Sequence, residues 1–120
     1  MSRQAPEVTK AGEVTVIVFG SDYENLDEQC LDEVRELILE TAETADPPQM
    51  LLDLSHTSFF GSSFVEVLFR VWNRMNSKDN GKFGICGLTP YCKEVLEITH
   101  LDRIWGIYES REDALAGLSA

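Results

Sequence analysis

Strand-like and helix-like runs alternate along the chain, and this alternation constrains the fold more than any other feature. Residues 13–19 and 50–54 are short, apolar runs of the kind that form buried strands. A longer segment with apolar residues every three or four positions follows each run, which predicts an amphipathic helix. The predicted order is β-β-α-β-α-β-α-β-α. It favours an α/β domain with a mixed, mostly parallel sheet of four to five strands and four helices.

The sequence also predicts the bounds of the elements. An edge strand at residues 7–10 turns at Ala11-Gly12 into the strand at residues 13–19. The later strands are predicted at residues 50–54, 82–87 and 104–108. The first helix runs from Leu26 to about residue 45, and the second runs from Ser63 or Phe64 to an αL cap at Asn80-Gly81. The third helix runs from Pro90, with Thr89 as its cap, to about residue 99, and Ser110 caps the last helix. The expected core comprises Val16, Val18, Val34, Leu37, Leu52, Leu54, Leu68, Ile85 and Leu96, and Ile98 is also expected to be buried by the helix from Pro90.

The composition fits one domain with a strong negative charge. The 120 residues, 43% of them hydrophobic, suffice for a single core, and residues 1–6 are expected to form a frayed terminus. The formal net charge of -11 disfavours binding to nucleic acid or anionic lipid. It could steer a basic partner or simply maintain solubility. No apolar run is long enough to span a membrane and no signal-peptide pattern is present, so we expect a cytoplasmic protein.

The cysteines and histidines predict neither a disulfide scaffold nor a metal site. Cys30, Cys86 and Cys92 are an odd number of cysteines and lie in predicted helices or strands, so we interpret them as small core residues. His56 and His100 have no second ligand at a metal-binding spacing. We therefore expect no metal and no cofactor.

The polar stretch that ends at Ser62 and Ser63 contains the candidate functional residues. It joins the buried strand at 50–54 to the next helix, so both serines lie at the helix start, where free N–H groups and the helix dipole favour an anion. A phosphate on either serine would lie close to these donors. The alternative is structural, because Ser63 with Glu66 three residues later fits a capping box.

A catalytic role for the same stretch has little support from the motifs. Ser62 or Ser63 could pair with His56 as nucleophile and base, but the stretch lacks the Gly-x-Ser-x-Gly turn of serine hydrolases, and no spacing indicates a third residue. Asp53 and Glu66 could form a pair of acids, although Glu66 already has the capping role. We therefore predict that the protein is not an enzyme.

Several short motifs resemble one known family. Residues 51–55 look like its strand that ends in Asp-Leu-Ser, and residues 84–90 look like its Val-Gly-Leu-Ser-Pro turn. Residues 95–102 are similar to its Val-Leu-Glu-Leu-Thr-Gly-Leu-Asp stretch, and residues 108–110 are similar to part of its end. Together with the predicted order of elements, these motifs resemble the STAS domain, the fold of the anti-sigma factor antagonists.

The resemblance includes the serine stretch. Residues 57–64 lie where the family has an aromatic residue followed by Asp-Ser-Ser-Gly, with Gly61 in place of the aspartate and Phe64 in place of the glycine. In bacterial relatives, the unphosphorylated protein binds a serine-kinase anti-sigma factor, and phosphorylation of the first of these serines breaks the complex. The resemblance therefore implies a regulatory binding protein whose partner is a serine-kinase anti-sigma factor.

The resemblance also implies a site. Ser62 occupies the position of the family's phosphorylated serine, and Ser63 and Ser58 are alternative acceptors. The implied contact surface comprises Ser58, Gly61, Ser62, Ser63, Phe64, Leu88 and Thr89. The alternative is a STAS module that is not phosphorylated and serves as a scaffold or as a subunit of a larger signalling or transport complex.

Overall fold

The computed structural model describes residues 6–26, 28–78 and 81–119. Its strands are β1 (Glu7–Ala11), β2 (Val14–Val18), β3 (Asn25–Leu26), β4 (Gln49–Asp53), β5 (Phe59–Phe60), β6 (Lys82–Cys86) and β7 (Gly106–Tyr108). Its α-helices are α1 (Glu28–Thr44), α2 (Ser62–Asn76), α3 (Pro90–Ile98) and α4 (Arg111–Ser119). The predicted order is confirmed, and β3 and β5 are two short additional strands.

Five strands form one mixed sheet in the order β1-β2-β4-β6-β7. β1 runs antiparallel to β2 because a tight hairpin joins them, in which Gly12 has a φ of 63°. β2, β4, β6 and β7 are parallel neighbours, because α1, α2 and α3 each return the chain to the same end of the sheet. The predicted mixed, mostly parallel sheet is therefore confirmed.

The sheet has a hydrophobic core on each face. Successive residues of a strand point to opposite faces, so Leu51 and Leu52 belong to different cores. Leu52 joins the larger core beneath α1, α2 and α3, and its partner in the register is Ile85 of β6. Leu51 joins the smaller core, which Ala114 and Leu118 of α4 cover. The prediction that Leu52 and Ile85 are buried on adjacent elements is confirmed.

Seven of the nine expected core residues are buried. Val18 and Leu37 are half-buried and Ile98 is exposed, so these three expectations are wrong. Val18 ends β2 on the face that the nine-residue helix α4 covers. Ile98 ends α3 on a different flank from the buried Cys92 and Leu96. Periodicity identifies an apolar flank, but it does not show how far the neighbouring elements extend over that flank.

Two elements begin later than the sequence predicts. α1 begins at Glu28, because Leu26 lies in β3 and pairs in parallel with Phe60 of β5. Leu26 has the spacing of the apolar stripe of α1, so periodicity alone could not separate the two elements. β7 begins at Gly106, and the preceding Ile104 is exposed.

The end of α2 also differs from the prediction. The helix ends at Asn76, and its C-cap Ser77 has right-handed backbone angles. The predicted αL cap at Asn80-Gly81 is therefore wrong, since the helix has ended before it; Asn80 itself lies outside the described residues.

Two expectations fall partly outside the described residues. Residues 1–5 of the expected frayed terminus lie outside the described residues, whereas Pro6 is buried. The side chain of Cys30 is likewise outside the description, whereas Cys86 and Cys92 are buried free thiols, as predicted.

Two predicted helix caps are confirmed. Thr89 Oγ1 accepts a hydrogen bond from the Cys92 N–H at 3.4 Å, and Pro90 is the first residue of α3. Ser110 Oγ accepts a hydrogen bond from the Asp113 N–H at 3.1 Å, just before α4 begins. Both caps depend on residues three positions apart, which is why the sequence reveals them.

Candidate functional site

The loop between β4 and α2, residues 55–61, is the serine loop. The chain around β3 holds its backbone from one side. The Ser58 N–H donates to the Glu24 carbonyl at 2.8 Å, and Thr57 Oγ1 donates to the Tyr23 carbonyl at 2.9 Å. Thr57 is fully buried, so this contact anchors the loop to the protein interior.

The first turn of α3 holds the serine loop from the other side. The Ser58 carbonyl accepts hydrogen bonds from Thr89 Oγ1 at 3.4 Å and from Cys92 Sγ at 3.5 Å. The rings of Phe59 and Tyr91 are stacked, with centroids 5.7 Å apart and planes 25° from parallel. The serine loop and the start of α3 therefore form one continuous surface.

Gly61, and not Ser63, is the N-cap of α2. Gly61 has an extended backbone, and its carbonyl accepts hydrogen bonds from two N–H groups of the first turn at 3.1 and 3.3 Å. Ser62 and Ser63 are thus the first two helical residues, and the predicted capping box is wrong. Glu66 lies beyond the position that a capping box requires, and it pairs at the surface with Arg70 at 3.2 Å.

The candidate serines differ in exposure. Ser58 and Ser62 are exposed and Ser63 is half-buried. Gly61 leaves open space beside Ser62, because a Cβ atom at Gly61 would meet no other atom within 4 Å. A β-carbon therefore fits at Gly61 without moving a neighbour, although this chain has no carboxylate at that position. Ser62 is therefore a solvent-exposed residue at the start of a helix.

The side chain of Phe64 belongs to the core. It is fully buried, and its ring lies 5.4 Å from that of Phe60 and 6.2 Å from that of Phe19. The expectation that this ring takes part in a contact surface is wrong. The ring instead supports the serine loop from beneath, through Phe60 at the end of the loop.

The remaining two expected contact residues lie on different sides of the start of α3. Thr89 touches the serine loop through the Ser58 carbonyl, whereas Leu88 lines a groove of about 440 Å³ between α3 and the end of β7. The other residues of this groove are Pro90, Lys93, Ile107, Tyr108 and Glu109. The structure thus places Thr89 against Ser58 of the serine loop, whereas Leu88 lines the neighbouring groove.

An ion pair between a buried carboxylate and a partly exposed arginine lies at the base of the serine loop. Asp53 ends β4 with 5% of its surface exposed, and its Oδ1 accepts hydrogen bonds from the Ser55 N–H at 3.0 Å and from Ser55 Oγ at 2.5 Å. Its Oδ2 accepts two from Arg111, from Nε at 2.9 Å and from Nη2 at 2.7 Å. The carboxylate therefore links the serine loop to the first residue of α4.

The pKa of Asp53 reflects two opposing effects. Burial raises the pKa, whereas the hydrogen bonds from Ser55 and Arg111 and the positive charge of Arg111 lower it. The net result is a pKa below the usual value, so the carboxyl is ionised at neutral pH. Sequence reasoning missed this pair, because Arg111 is 58 residues away from Asp53. The available signal was an aspartate at the end of an apolar strand, which needs a partner when buried.

Gly87 allows β6 and the serine loop to approach closely. Its φ is +76°, and a Cβ atom there would lie 3.0 Å from both N and Cα of Ser55. We expect Gly87→Ala to lower the free energy of unfolding by about 1–2 kcal/mol, from the left-handed backbone alone, and by more if Ser55 cannot move. Urea denaturation measures this, with Gly20→Ala as the control, because a Cβ at Gly20 meets nothing within 4 Å. Equal costs for the two variants would contradict the prediction.

The described residues lack a metal-binding cluster, and Cys86 is not activated as a thiolate. Within residues 6–26, 28–78 and 81–119, no group of three histidine, cysteine or acidic side chains could hold a metal ion. Burial, and then the charge of Asp53, raise the pKa of the Cys86 thiol to about 12, while Arg111 acts against them. In the same described ranges, no helix combines the length and apolar character needed to cross a bilayer.

The geometry defines an α/β domain in which an exposed serine begins a helix beside a firmly held loop. The family model of the STAS domain matches residues 5–114, and the chain therefore belongs to the STAS-domain family. The resemblance seen in the sequence is thus confirmed. A search of curated proteins found no match.

Solved structures agree with this family. An anti-sigma-factor antagonist (STAS) domain protein from Planctomyces limnophilus is 36% identical, with a TM-score of 0.92 over 98% of this chain and 100% of that chain. An anti-sigma factor antagonist from Mycobacterium paratuberculosis is 21% identical, with a TM-score of 0.83 over 97% of this chain and 94% of that chain. The Bacillus cell fate determinant SpoIIAA in its phosphorylated form is 20% identical, with a TM-score of 0.68 over 95% of this chain and 99% of that chain. The last two comparisons show a shared fold alone.

Proposed function

We propose that the chain is a non-catalytic regulatory module that binds a serine-kinase anti-sigma factor and releases it on phosphorylation of Ser62. The observation that carries the proposal is the position of this exposed serine, first in α2 and next to a held loop. The contact surface that we propose consists of the serine loop, Ser62, Ser63 and Thr89. The similarity to the anti-sigma-factor antagonist (STAS) domain protein from Planctomyces limnophilus, which is 36% identical, supports the class of partner.

The physics of phosphorylation supports a switch at this position. A phosphoryl group adds about 1.5 to 2 negative charges at neutral pH. At Ser62 it would lie at the positive end of the α2 dipole, so the modified protein can remain folded. On a surface that is covered by a partner, the same group would be crowded and stripped of water, which opposes binding. The existence of a phosphorylated SpoIIAA structure is consistent with such a switch in a protein of this fold.

A scaffold without phosphorylation is the second candidate function. Gly61 favours it, because the carboxylate that the family places beside the acceptor serine is absent although a Cβ atom there would meet no neighbour. In that case, the same surface would bind its partner constitutively.

Charge substitution at Ser62 distinguishes the two functions. We expect Ser62→Asp to weaken binding to the purified serine-kinase anti-sigma factor of the host by at least about tenfold, and Ser62→Ala to bind like the wild type. With ATP, the wild type should gain one phosphate by intact mass and Ser62→Ala none. Asn73→Asp is the matched control, because it adds the same charge at an exposed position further along α2.

Three other results would change the interpretation. Equal affinities for the wild type, Ser62→Ala and Ser62→Asp would reject the switch and leave the scaffold. A phosphate mapped to Ser58 or Ser63 would keep the switch and move its site. No binding by any of these proteins would reject the kinase partner itself.

A further inference from the structure

Two exposed aromatic rings stack against each other at the serine loop. Phe59 and Tyr91, here called the aromatic pair, have ring centroids 5.7 Å apart, and 39% and 52% of their surfaces remain in solvent. Single exposed apolar residues are common on protein surfaces and need no explanation. A stacked pair is different, because each ring holds the other in place. Its exposed parts therefore form a rigid surface that loses little conformational entropy on binding.

Backbone contacts hold the aromatic pair from both sides. The Phe59 N–H donates to the Glu24 carbonyl at 3.1 Å, just before β3. Tyr91 lies in the first turn of α3, and this turn is tied to the serine loop by the hydrogen bond from Thr89 Oγ1 to the Ser58 carbonyl. Direct contacts therefore join the segment before β3, the serine loop and the start of α3, and the aromatic pair lies where they meet.

Two acidic residues flank the aromatic pair. Glu24 is exposed, and the hydrogen bond to its carbonyl places it next to Phe59. Glu94 is exposed and lies three residues after Tyr91, on the same flank of α3. The basic residue of this turn, Lys93, instead lines the groove between α3 and β7, on another flank. The local charge at the aromatic pair thus has the same sign as the net charge of the chain, -11.

This combination of groups suits a positively charged side chain. The faces of aromatic rings carry partial negative charge, so they attract a cation that lies over them. Arginine fits best, because its flat guanidinium group stacks on a ring and still has N–H groups for a carboxylate. A purely apolar occupant would strip water from the two carboxylates without giving them a partner. An acidic segment or a nucleic acid would be repelled.

We propose that the aromatic pair binds an arginine side chain of the protein partner, with Glu24 and Glu94 beside it as hydrogen-bond acceptors. The inference rests on the proposed binding of an anti-sigma factor, but not on phosphorylation of Ser62. It adds Tyr91 to the proposed contact surface and assigns a chemical property to the partner, a basic group opposite this point.

Isothermal titration calorimetry with the purified serine-kinase anti-sigma factor of the host tests the proposal. Leucine keeps an apolar side chain but has no ring face, so it separates a basic occupant from an apolar one. We expect Phe59→Leu and Tyr91→Leu each to raise the dissociation constant by at least about fivefold. Tyr91→Phe, which restores a ring, should regain most of the affinity that Tyr91→Leu loses. Circular dichroism verifies that each variant is folded, as expected for positions with this exposure.

Matched controls exist for the rings and for the charges. Phe69 is 37% exposed and contacts another ring, that of Trp105, at 5.3 Å, so Phe69→Leu should bind like the wild type. Glu94→Gln should raise the dissociation constant by about threefold, because it removes one acceptor. Glu97→Gln removes the same charge at an exposed position six residues after Tyr91, on another flank of α3, and should have no effect.

The possible results separate this inference from the proposed function. Leucine variants that bind like the wild type, or equal effects of Glu94→Gln and Glu97→Gln, would overturn the inference and leave the binding of the anti-sigma factor in place. Weaker binding by the leucine variants and by Glu94→Gln, with no effect of Ser62→Asp, would support the inference and reject only the switch. A wild-type protein that does not bind the anti-sigma factor would overturn both.

Discussion

Replacing Phe64 by alanine should lower the free energy of unfolding by about 3–5 kcal/mol. Phe64 is fully buried and packs between Phe19 and Phe60 in the core that α1, α2 and α3 cover. Truncation removes its apolar contacts and leaves a cavity that the rigid surroundings cannot fill. Urea denaturation followed by circular dichroism measures the loss, provided that the slope of the transition does not change.

Phe59→Ala is the matched control for this experiment. Phe59 is 39% exposed and stacks on Tyr91, so its loss should cost no more than about 1.5 kcal/mol. Similar costs for the two variants would contradict the burial of Phe64. A Phe64→Ala protein of normal stability that no longer binds the anti-sigma factor would restore Phe64 as a contact residue.

Arg111→Ala should cost about 3 kcal/mol at neutral pH, because it removes the cationic partner of a buried carboxylate. The expected loss of stability lies at the lower end of the range for breaking a buried ion pair. The reason is that the Arg111 side chain is 46% exposed, so water can partly replace it beside the carboxylate. Arg35→Ala is the matched control. Arg35 forms a surface ion pair with Asp32 at 3.1 Å, and its loss should change the free energy of unfolding by no more than about 0.5 kcal/mol.

The effect of Arg111→Ala should depend on pH. The folded pKa of Asp53 lies below its usual value, so the contribution of the pair is present above the unfolded pKa and is lost as the pH falls through the folded pKa. Without Arg111, burial should raise the pKa of Asp53. The difference in stability between wild type and variant should therefore shrink as the pH is lowered from about 7 to about 3.

Urea titrations at several pH values measure this dependence. Adding Asp53→Asn to Arg111→Ala should recover part of the stability, because the uncompensated charge is then absent. A difference that stays constant with pH, or that is no larger than for Arg35→Ala, would show that Asp53 and Arg111 are not coupled as described.

The sequence by itself determined the order of the elements, the central part of the core and two helix caps. Leu52 and Ile85 could be predicted as neighbours because apolar runs of strand length identify buried strands. The caps at Thr89 and Ser110 could be predicted because the bonded groups are three residues apart. These features depend on residues that are close in the chain, so a local pattern is sufficient to reveal them.

Only the tertiary structure decided how the serine loop is built. The pairing of Leu26 with Phe60, and the contact of Thr57 with Tyr23, join segments 34 residues apart. The ion pair of Asp53 and Arg111 joins residues 58 apart. The sequence shows which of these residues are apolar or charged. It does not show their partners, because those are set by how the helices and strands pack. For the same reason the sequence identified Ser62 as a candidate, whereas the structure showed that Gly61 caps α2 and that Phe64 is buried.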